Sequence, residues 1–222
     1  ARVLCDTFPS RLERGAGLPS VQRMNYFAEM ALDDLKDTQH LILVGTQPPT
    51  AFFAYPGKPS GLVPDGCKVH VLASPADDVF EALEHLAEAV SAPKSGYAVE
   101  ASKRPDKPVG KLDSAAVATA IGALMPDDAV VIDEGNTEGI FTPLMTQGAP
   151  RHDWLFNTGG SIGIALPLAA GAAICSPGRK VICLEGDGSA MYTIQGLWTM
   201  AREKLDVTTI IFANRSYKIL NI

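Results

Sequence analysis

Two apolar runs near the end of the chain each close on an oxygen-bearing side chain. Val181-Ile-Cys-Leu-Glu-Gly leads into Asp187-Gly-Ser189, and Val207-Thr-Thr-Ile-Ile-Phe-Ala leads into Asn214-Arg-Ser216. Each run reads as a buried parallel strand. Met191 to Lys204 reads as a helix between them, so the unit is strand, turn, helix, strand. A crossover of this kind is right-handed and returns the second strand parallel to the first. The C-terminal ends of both strands then share one sheet edge, and the Asp187 carboxylate comes to lie beside the Asn214 carboxamide. Hard oxygen donors next to a Gly-rich turn and a helix N-terminus suit Mg2+ and a diphosphate.

The same alternation extends upstream. A domain is expected over residues 113–222, with a helix at Ala115–Met125, a strand at Ala129–Asp133 and a loop from Glu134 to Thr137. Glu138–Met145 reads as helix, Trp154–Asn157 as a short strand, Thr158–Ile162 as a turn and Gly163–Ile174 as a helix. Strands alternating with helices indicate an α/β fold with a doubly wound, mostly parallel sheet. Ligands of such sheets bind at the C-terminal strand ends, where the loops at 134–137, 158–162 and 186–189 converge.

Residues 1–90 read as part of a smaller Rossmann-like α/β domain. Helices are expected at Pro19–Asp37 and at Asp77–Val90, the second with Val79, Phe80, Leu83, Leu86 and Val90 on one face. Strands are expected at Leu41–Val44 and Lys68–Ala73, around a Pro- and Gly-rich loop at residues 46–66. Residues 91–112, with three prolines and five Lys or Arg, read as a linker.

The net charge of −6, with no dense basic patch, argues against nucleic acid as a partner. No uninterrupted apolar stretch is long enough to span a bilayer, because glycines and a proline punctuate Leu155–Ser176. Cys5, Cys67, Cys175 and Cys183 have neither metal-ligand spacing nor a disulfide pattern, which makes a reducing cytoplasm the default location. Cys183 falls in mid-strand and reads as a core residue. The chain has no initiator Met and ends only eight residues after Asn214, so it is expected to be an internal fragment of a longer protein.

Gly186-Asp-Gly188 with Asn214 twenty-seven positions after Asp187 resembles the cofactor motif of thiamine diphosphate (ThDP)-dependent enzymes. In that family the Asp, the Asn and a backbone carbonyl two residues later hold Mg2+, which holds the cofactor diphosphate. The resemblance therefore implies Asp187, Asn214 and the Ser216 carbonyl as metal ligands. The family often has Asn-Asn at the second site, and here it is Ala213-Asn214. Gly160-Ser-Ile-Gly-Ile-Ala-Leu-Pro167 matches the stretch that packs under the bent cofactor. Ile162 stands where the family places a bulky apolar wedge between the two cofactor rings. The cofactor set implied is Asn136, Thr137, Gly160, Ser161, Ile162, Gly186, Asp187, Gly188, Ser189, Asn214 and Ser216.

Within the family the chain resembles the acetolactate synthase large-subunit-like group and, equally, benzoylformate decarboxylase. That implies decarboxylation or carboligation of 2-keto acids. It also implies a homodimer or homotetramer with shared sites, and an activating Glu on a pyrimidine-binding domain absent from this sequence. Acetolactate synthases usually bind FAD at the middle domain, but Gly45–Gly66 carries no firm dinucleotide signature.

Blander readings stand beside these. Ser189 is also a natural helix N-cap, and Asn136 and Thr137 are also ordinary turn residues. Glu134 reads as a loop residue. His40, His70, His85 and His152 are isolated from one another in sequence and read as structural or surface residues. Two other functions remain open. A NAD-binding Rossmann oxidoreductase needs an acidic residue closing the second strand, and Asp133 is badly placed for that. An inactive ThDP-fold assembly protein has no need of intact Asp187 and Asn214.

Overall fold

Residues 2–221 are described by a computed structural model. The chain opens with three short strands, β1 (Leu4–Cys5), β2 (Arg11–Arg14) and β3 (Gln22–Arg23). Helix α1 (Ala28–Leu35), strands β4 (His40–Val44) and β5 (Lys68–Ala73), and helix α2 (Val79–Ala89) follow. Next come α3 (Ser114–Leu124), β6 (Val130–Glu134), α4 (Asn136–Gly139), α5 (Thr142–Met145) and β7 (His152–Phe156). The series ends with α6 (Ala165–Cys175), β8 (Val181–Gly186), α7 (Asp187–Ala190), α8 (Gly196–Arg202) and β9 (Val207–Phe212). The chain forms two units, Ala1–Thr7 with Val21–Tyr97 and Phe8–Ser20 with Ala98–Ile222.

In the first unit β1 pairs with β3 and β4 pairs with β5, both in parallel. The first helix is shorter than its periodicity predicts. Gln22 and Arg23 are drawn into strand pairing, and the Arg2 guanidinium donates to the Gln22 side chain at 2.9 Å. Helix α2 starts as predicted: the Asp78 carboxylate accepts the Glu81 N–H at 3.0 Å. Val79 and Leu86 of its apolar face are half-buried, whereas Phe80 is 82% exposed and Leu83 and Val90 are exposed too. His40 and His70 are not isolated from each other. Parallel pairing of β4 with β5 stacks their rings and brings Nδ1 of His40 to 3.0 Å from Nε2 of His70.

The second unit is built on one five-stranded sheet in the order β2-β7-β6-β8-β9. Four strands are parallel, and β2 is antiparallel to β7. Strand β2 was not anticipated. Residues 8–20, grouped above with the first domain, lie with this sheet, where Arg11 Nε meets Asp153 Oδ1 at 2.6 Å. The backbone after Tyr97 is also tied down rather than loose: Glu100 N–H donates to Leu18, and Lys103 N–H donates to Gly148.

Helices cover both faces of the sheet. Val131, Ile182, Leu184, Trp154 and Phe156 pack with Ile121 and Met125 from the α3 side. Val130, Ile132, Val181 and Cys183 pack with Ala165, Leu166, Ala169 and Ala170 of α6 and with Met200 of α8. Burial on both faces explains why Val181–Leu184 of β8 is a continuous apolar run rather than an alternating one. An apolar groove lined by Val117, Ile121, Leu124, Ile182, Thr208 and Ile210 lies on the α3 face. Its residues are not those at the C-terminal strand ends.

Three local expectations are corrected. Glu134 is the last residue of β6 and only 1% exposed, not a loop residue. The single helix expected at Glu138–Met145 is two short helical segments, α4 and α5. The helix expected at Met191–Lys204 is shortened to α8, with turns over residues 191–195 and the separate short helix α7 before them.

Helix α3 meets the end of α5 closely. A Cβ built on Gly122 stands 2.2 Å from the Met145 carbonyl oxygen, whereas Gly171 of α6 has open space around it. Gly122→Ala is expected to destabilise the chain by about 1–3 kcal/mol. Gly171→Ala should be neutral or stabilising, by up to about 1 kcal/mol. Urea denaturation of both variants checks this, and equal effects would contradict the packing described. A second expectation concerns His152, whose imidazole burial holds below its ordinary value of 6.5. The unfolded chain takes up that proton more readily than the folded one. The stability this group contributes is therefore complete above pH 6.5 and lost as pH falls below it. The melting temperature of the wild type relative to His152→Gln should fall between pH 7.5 and pH 5, and a pH-independent difference would contradict it.

Candidate functional site

Strand order reverses around β6. The chain leaves β6 for β7 on one side, then crosses by α6 to β8 on the other. In open α/β sheets a crevice opens at such a point, outside the C-terminal strand ends. The residues there are Glu134 at the end of β6 with Asn136 after it, Gly186 at the end of β8 with Asp187 after it, and Asn214 to Ser216 after β9.

Asp187 holds two of these segments together. Its Oδ2 accepts the Arg215 N–H at 2.8 Å, and its Oδ1 accepts the Gly188 N–H at 3.0 Å. The Asn214 Oδ1 accepts the Ser216 N–H at 2.9 Å, which folds residues 214–216 into a tight turn. This loop has a second anchor, Lys218 Nζ to Glu138 Oε1 at 2.9 Å. Glu138 also accepts the Ser114 hydroxyl proton. That hydroxyl first, and Lys218 next, hold the Glu138 carboxyl below its ordinary value.

Across the crevice Asn136 has a left-handed backbone, φ 49°, which Asn tolerates. Its Nδ2 donates to Ser189 Oγ at 3.1 Å. Ser189 lies inside α7, and no side chain caps that helix, so the expected N-cap is not formed. Thr137 sits in α4 beside Asn136 and takes no part in these bonds. Gly160 and Ser161 close a tight turn after β7, with Gly160 N–H bonded to Asn157 and Ser161 N–H to Thr158. Ile162 follows and is 42% exposed, so it is not plain core.

Two buried carboxyls were missed as site residues. Glu134 and Glu185 are register partners on β6 and β8, and their strands turn both toward the α6 face. Glu134 Oε1 accepts Gly163 N–H at 2.5 Å, and Oε2 accepts Ala165 N–H at 2.8 Å. Burial raises its pKa, opposed by those two backbone N–H groups. Glu185 is 0% exposed, and burial first, then the nearby Glu134, pushes its pKa up to about 8. Its Oε1 accepts the Gly186 N–H at 3.0 Å, and its Oε2 has no partner. The available signal was an acidic residue closing each of two buried strands. Nothing local to either residue told that it would turn inward.

The donor set suits a hard cation. Among the described residues no group of three His, Cys, Asp or Glu side chains forms a metal site. A cation here would rely on one carboxylate together with amide and carbonyl oxygens, a set matched to Mg2+ rather than to a softer metal. At Gly186 and Gly188 neighbouring side chains come close to the backbone, leaving little room for a Cβ. A Cβ on Gly186 would lie 3.2 Å from Asn136 Nδ2, and one on Gly188 would lie 3.2 Å from the Tyr217 ring.

Comparison with known proteins bears on this edge of the sheet. Residues 133–221 match the family described as thiamine pyrophosphate enzyme, C-terminal TPP binding domain. The chain is 55% identical over all 222 residues to a Mycobacterium tuberculosis protein that bears the provisional name acetolactate synthase large subunit IlvX, and covers 43% of it. It is 32% identical over 203 residues to benzoylformate decarboxylase of Pseudomonas aeruginosa, a match that takes in 84% of this chain and 38% of that one. A solved structure, the ThDP-dependent 4-hydroxybenzoylformate decarboxylase of Rhodococcus jostii RHA1, superposes with a TM-score of 0.68 at 26% identity. That superposition covers 91% of this chain and 42% of the other. The chain thus spans less than half the length of these relatives. No helix among the described residues is long and apolar enough to cross a membrane. The strand-end crevice lies within residues 133–221, the segment that matches the C-terminal TPP-binding domain of thiamine pyrophosphate enzymes.

Proposed function

We propose that this chain is part of a ThDP- and Mg2+-dependent enzyme that decarboxylates 2-keto acids and joins the product to a second carbonyl, as acetolactate synthases do. The observation that carries the reading is the hydrogen bond from the Arg215 amide to the Asp187 carboxylate. It draws the Asn214 loop against the end of β8, so that one carboxylate, one carboxamide and one backbone carbonyl belong to a single site.

In this reading Asp187, the Asn214 side-chain oxygen and the Ser216 carbonyl hold the metal, and water and the diphosphate complete its shell. Gly186, Gly188, Ser189, Asn136 and Thr137 receive the diphosphate. Gly160 and Ser161 lie under the cofactor, and Ile162 is the wedge between its rings. Bound ThDP supplies the electron sink that lets a 2-keto acid lose carbon dioxide, while the protein supplies position and electrostatics. No residue of this chain is assigned as the activating Glu. Glu134 already accepts two backbone N–H groups, and Glu185 is fully buried.

The activating Glu belongs instead to a pyrimidine-binding domain outside these residues, and the working protein is a homodimer or homotetramer with shared sites. The first unit, with the backbone up to about residue 97, corresponds to part of the middle domain, and the second unit to most of the diphosphate-binding domain. FAD forms no part of the reading. A cytoplasmic location fits the four free cysteines.

A second reading, a non-oxidative decarboxylase of the benzoylformate type, is favoured by the matches to that enzyme and to the 4-hydroxybenzoylformate enzyme. The full-length protein supplied with pyruvate or benzoylformate separates the two readings. Acetolactate formed from pyruvate supports the first, and benzaldehyde formed from benzoylformate without ligation supports the second.

Titration calorimetry is expected to show ThDP binding to this chain only when Mg2+ is present, with no comparable response to NAD. Asp187→Ala should weaken that binding on the order of 100-fold or more. Unchanged affinity in a folded Asp187→Ala variant would remove the metal assignment. The 222-residue chain alone should turn over neither 2-keto acid, and steady product release from it would overturn the placement of the activating Glu elsewhere.

A further inference from the structure

We infer that Glu134 is a positioning residue that sets the height of Ile162 in the crevice. The inference rests on the reading of Ile162 as the wedge. It begins from how the α6 helix starts. The N-cap position is Ile164, which offers no side-chain acceptor, so the first N–H groups of α6 need one from elsewhere. Glu134 provides it from the neighbouring strand, with one carboxylate oxygen on the Ala165 N–H and the other on the Gly163 N–H. The second bond lies outside the helix. It grips the peptide immediately after Ile162, which capping alone does not require.

Gly163 is held on its other side as well. Its carbonyl accepts the Thr193 hydroxyl at 2.6 Å. Its φ is +89°, and a Cβ there would stand 2.6 Å from the Cβ of Tyr192. Upstream, the Ser161 N–H bonds back to Thr158. Ile162 thus lies between two anchored residues, with its side chain 42% exposed and open to a ligand. Glu134 is fully enclosed at the end of a central strand, among the most rigid places in the unit. A carboxylate with both oxygens engaged by backbone N–H groups transfers that rigidity to the loop. Gln at this position has the same shape but only one acceptor, so one N–H would face an amide NH2 group.

The test uses this chain with ThDP and Mg2+, with three readouts: amide hydrogen exchange at Gly163 and Ala165, cofactor affinity, and the transferred NOE between pyrimidine and thiazolium protons of the bound cofactor. Glu134→Gln is expected to speed exchange at Gly163 or Ala165, weaken ThDP roughly tenfold, and reduce the NOE. Ile162→Ala should reduce the NOE without speeding exchange at Ala165, and Ile162→Leu should restore it. Faster exchange in Glu134→Gln with unchanged affinity and NOE would overturn the inference, leaving Glu134 a helix cap only. Unchanged exchange would overturn it too, because the clamp would not exist. If Glu134→Gln does not fold, Thr193→Val releases the same glycine from the opposite side and is held to the same criteria. Failure of the proposed function reads out separately, as absence of ThDP binding by the wild-type chain. The wedge role falls with that result, and the exchange data then decide only whether the clamp exists.

Discussion

Parallel pairing of β6, β8 and β9 is the constraint on which the rest of the structure depends. Parallel strands leave their C-terminal ends at one edge, and each chain segment must return by a crossover. Whatever follows each strand is therefore delivered to the same crevice, although Glu134, Asp187 and Asn214 are far apart in sequence. The sheet supplies position before any side chain acts. The Asp187 carboxylate then acts locally, as an acceptor for the N–H groups of Gly188 and Arg215.

The edge holds two kinds of polar group. Asp187, Asn214 and Ser216 lie at the rim, where a hard cation and water can reach them. Glu134 and Glu185 lie beneath, in the packing against α6. Burying carboxyls is costly unless their oxygens are engaged. Glu134 offsets the cost with two backbone N–H groups. Glu185 engages one, and burial drives it toward the protonated form. In the lower layer Glu134 thus holds the start of α6 and the loop before it, and in the upper layer Asp187 holds the turn after β9.

Much of this sheet edge was legible along the chain. Asp187, Gly186, Gly188 and Asn214 were readable because spacing, apolar runs and turn glycines all pointed one way, and that agreement between levels carries information. The β8 and β9 strands were readable for the same reason. Glu134 was not, because an acidic residue after Val-Val-Ile-Asp looks like the start of a loop until the neighbouring strand and α6 are in place. The contact of His40 with His70 was equally invisible. It depends on the register of β4 against β5, across thirty residues of sequence.

By itself the sequence determined the alternating α/β pattern and the strands that lead into Asp187 and Asn214. Those follow from residue type and spacing, which act over a few positions. Tertiary structure alone decided that residues 11–14 join the second sheet, that the helix expected at Met191–Lys204 shortens to α8, and that Glu134 turns inward to grip Gly163. Each of these depends on a partner distant in sequence. Local propensity cannot carry that information, because a hydrogen bond or a packed face exists only once both of its halves have been brought together.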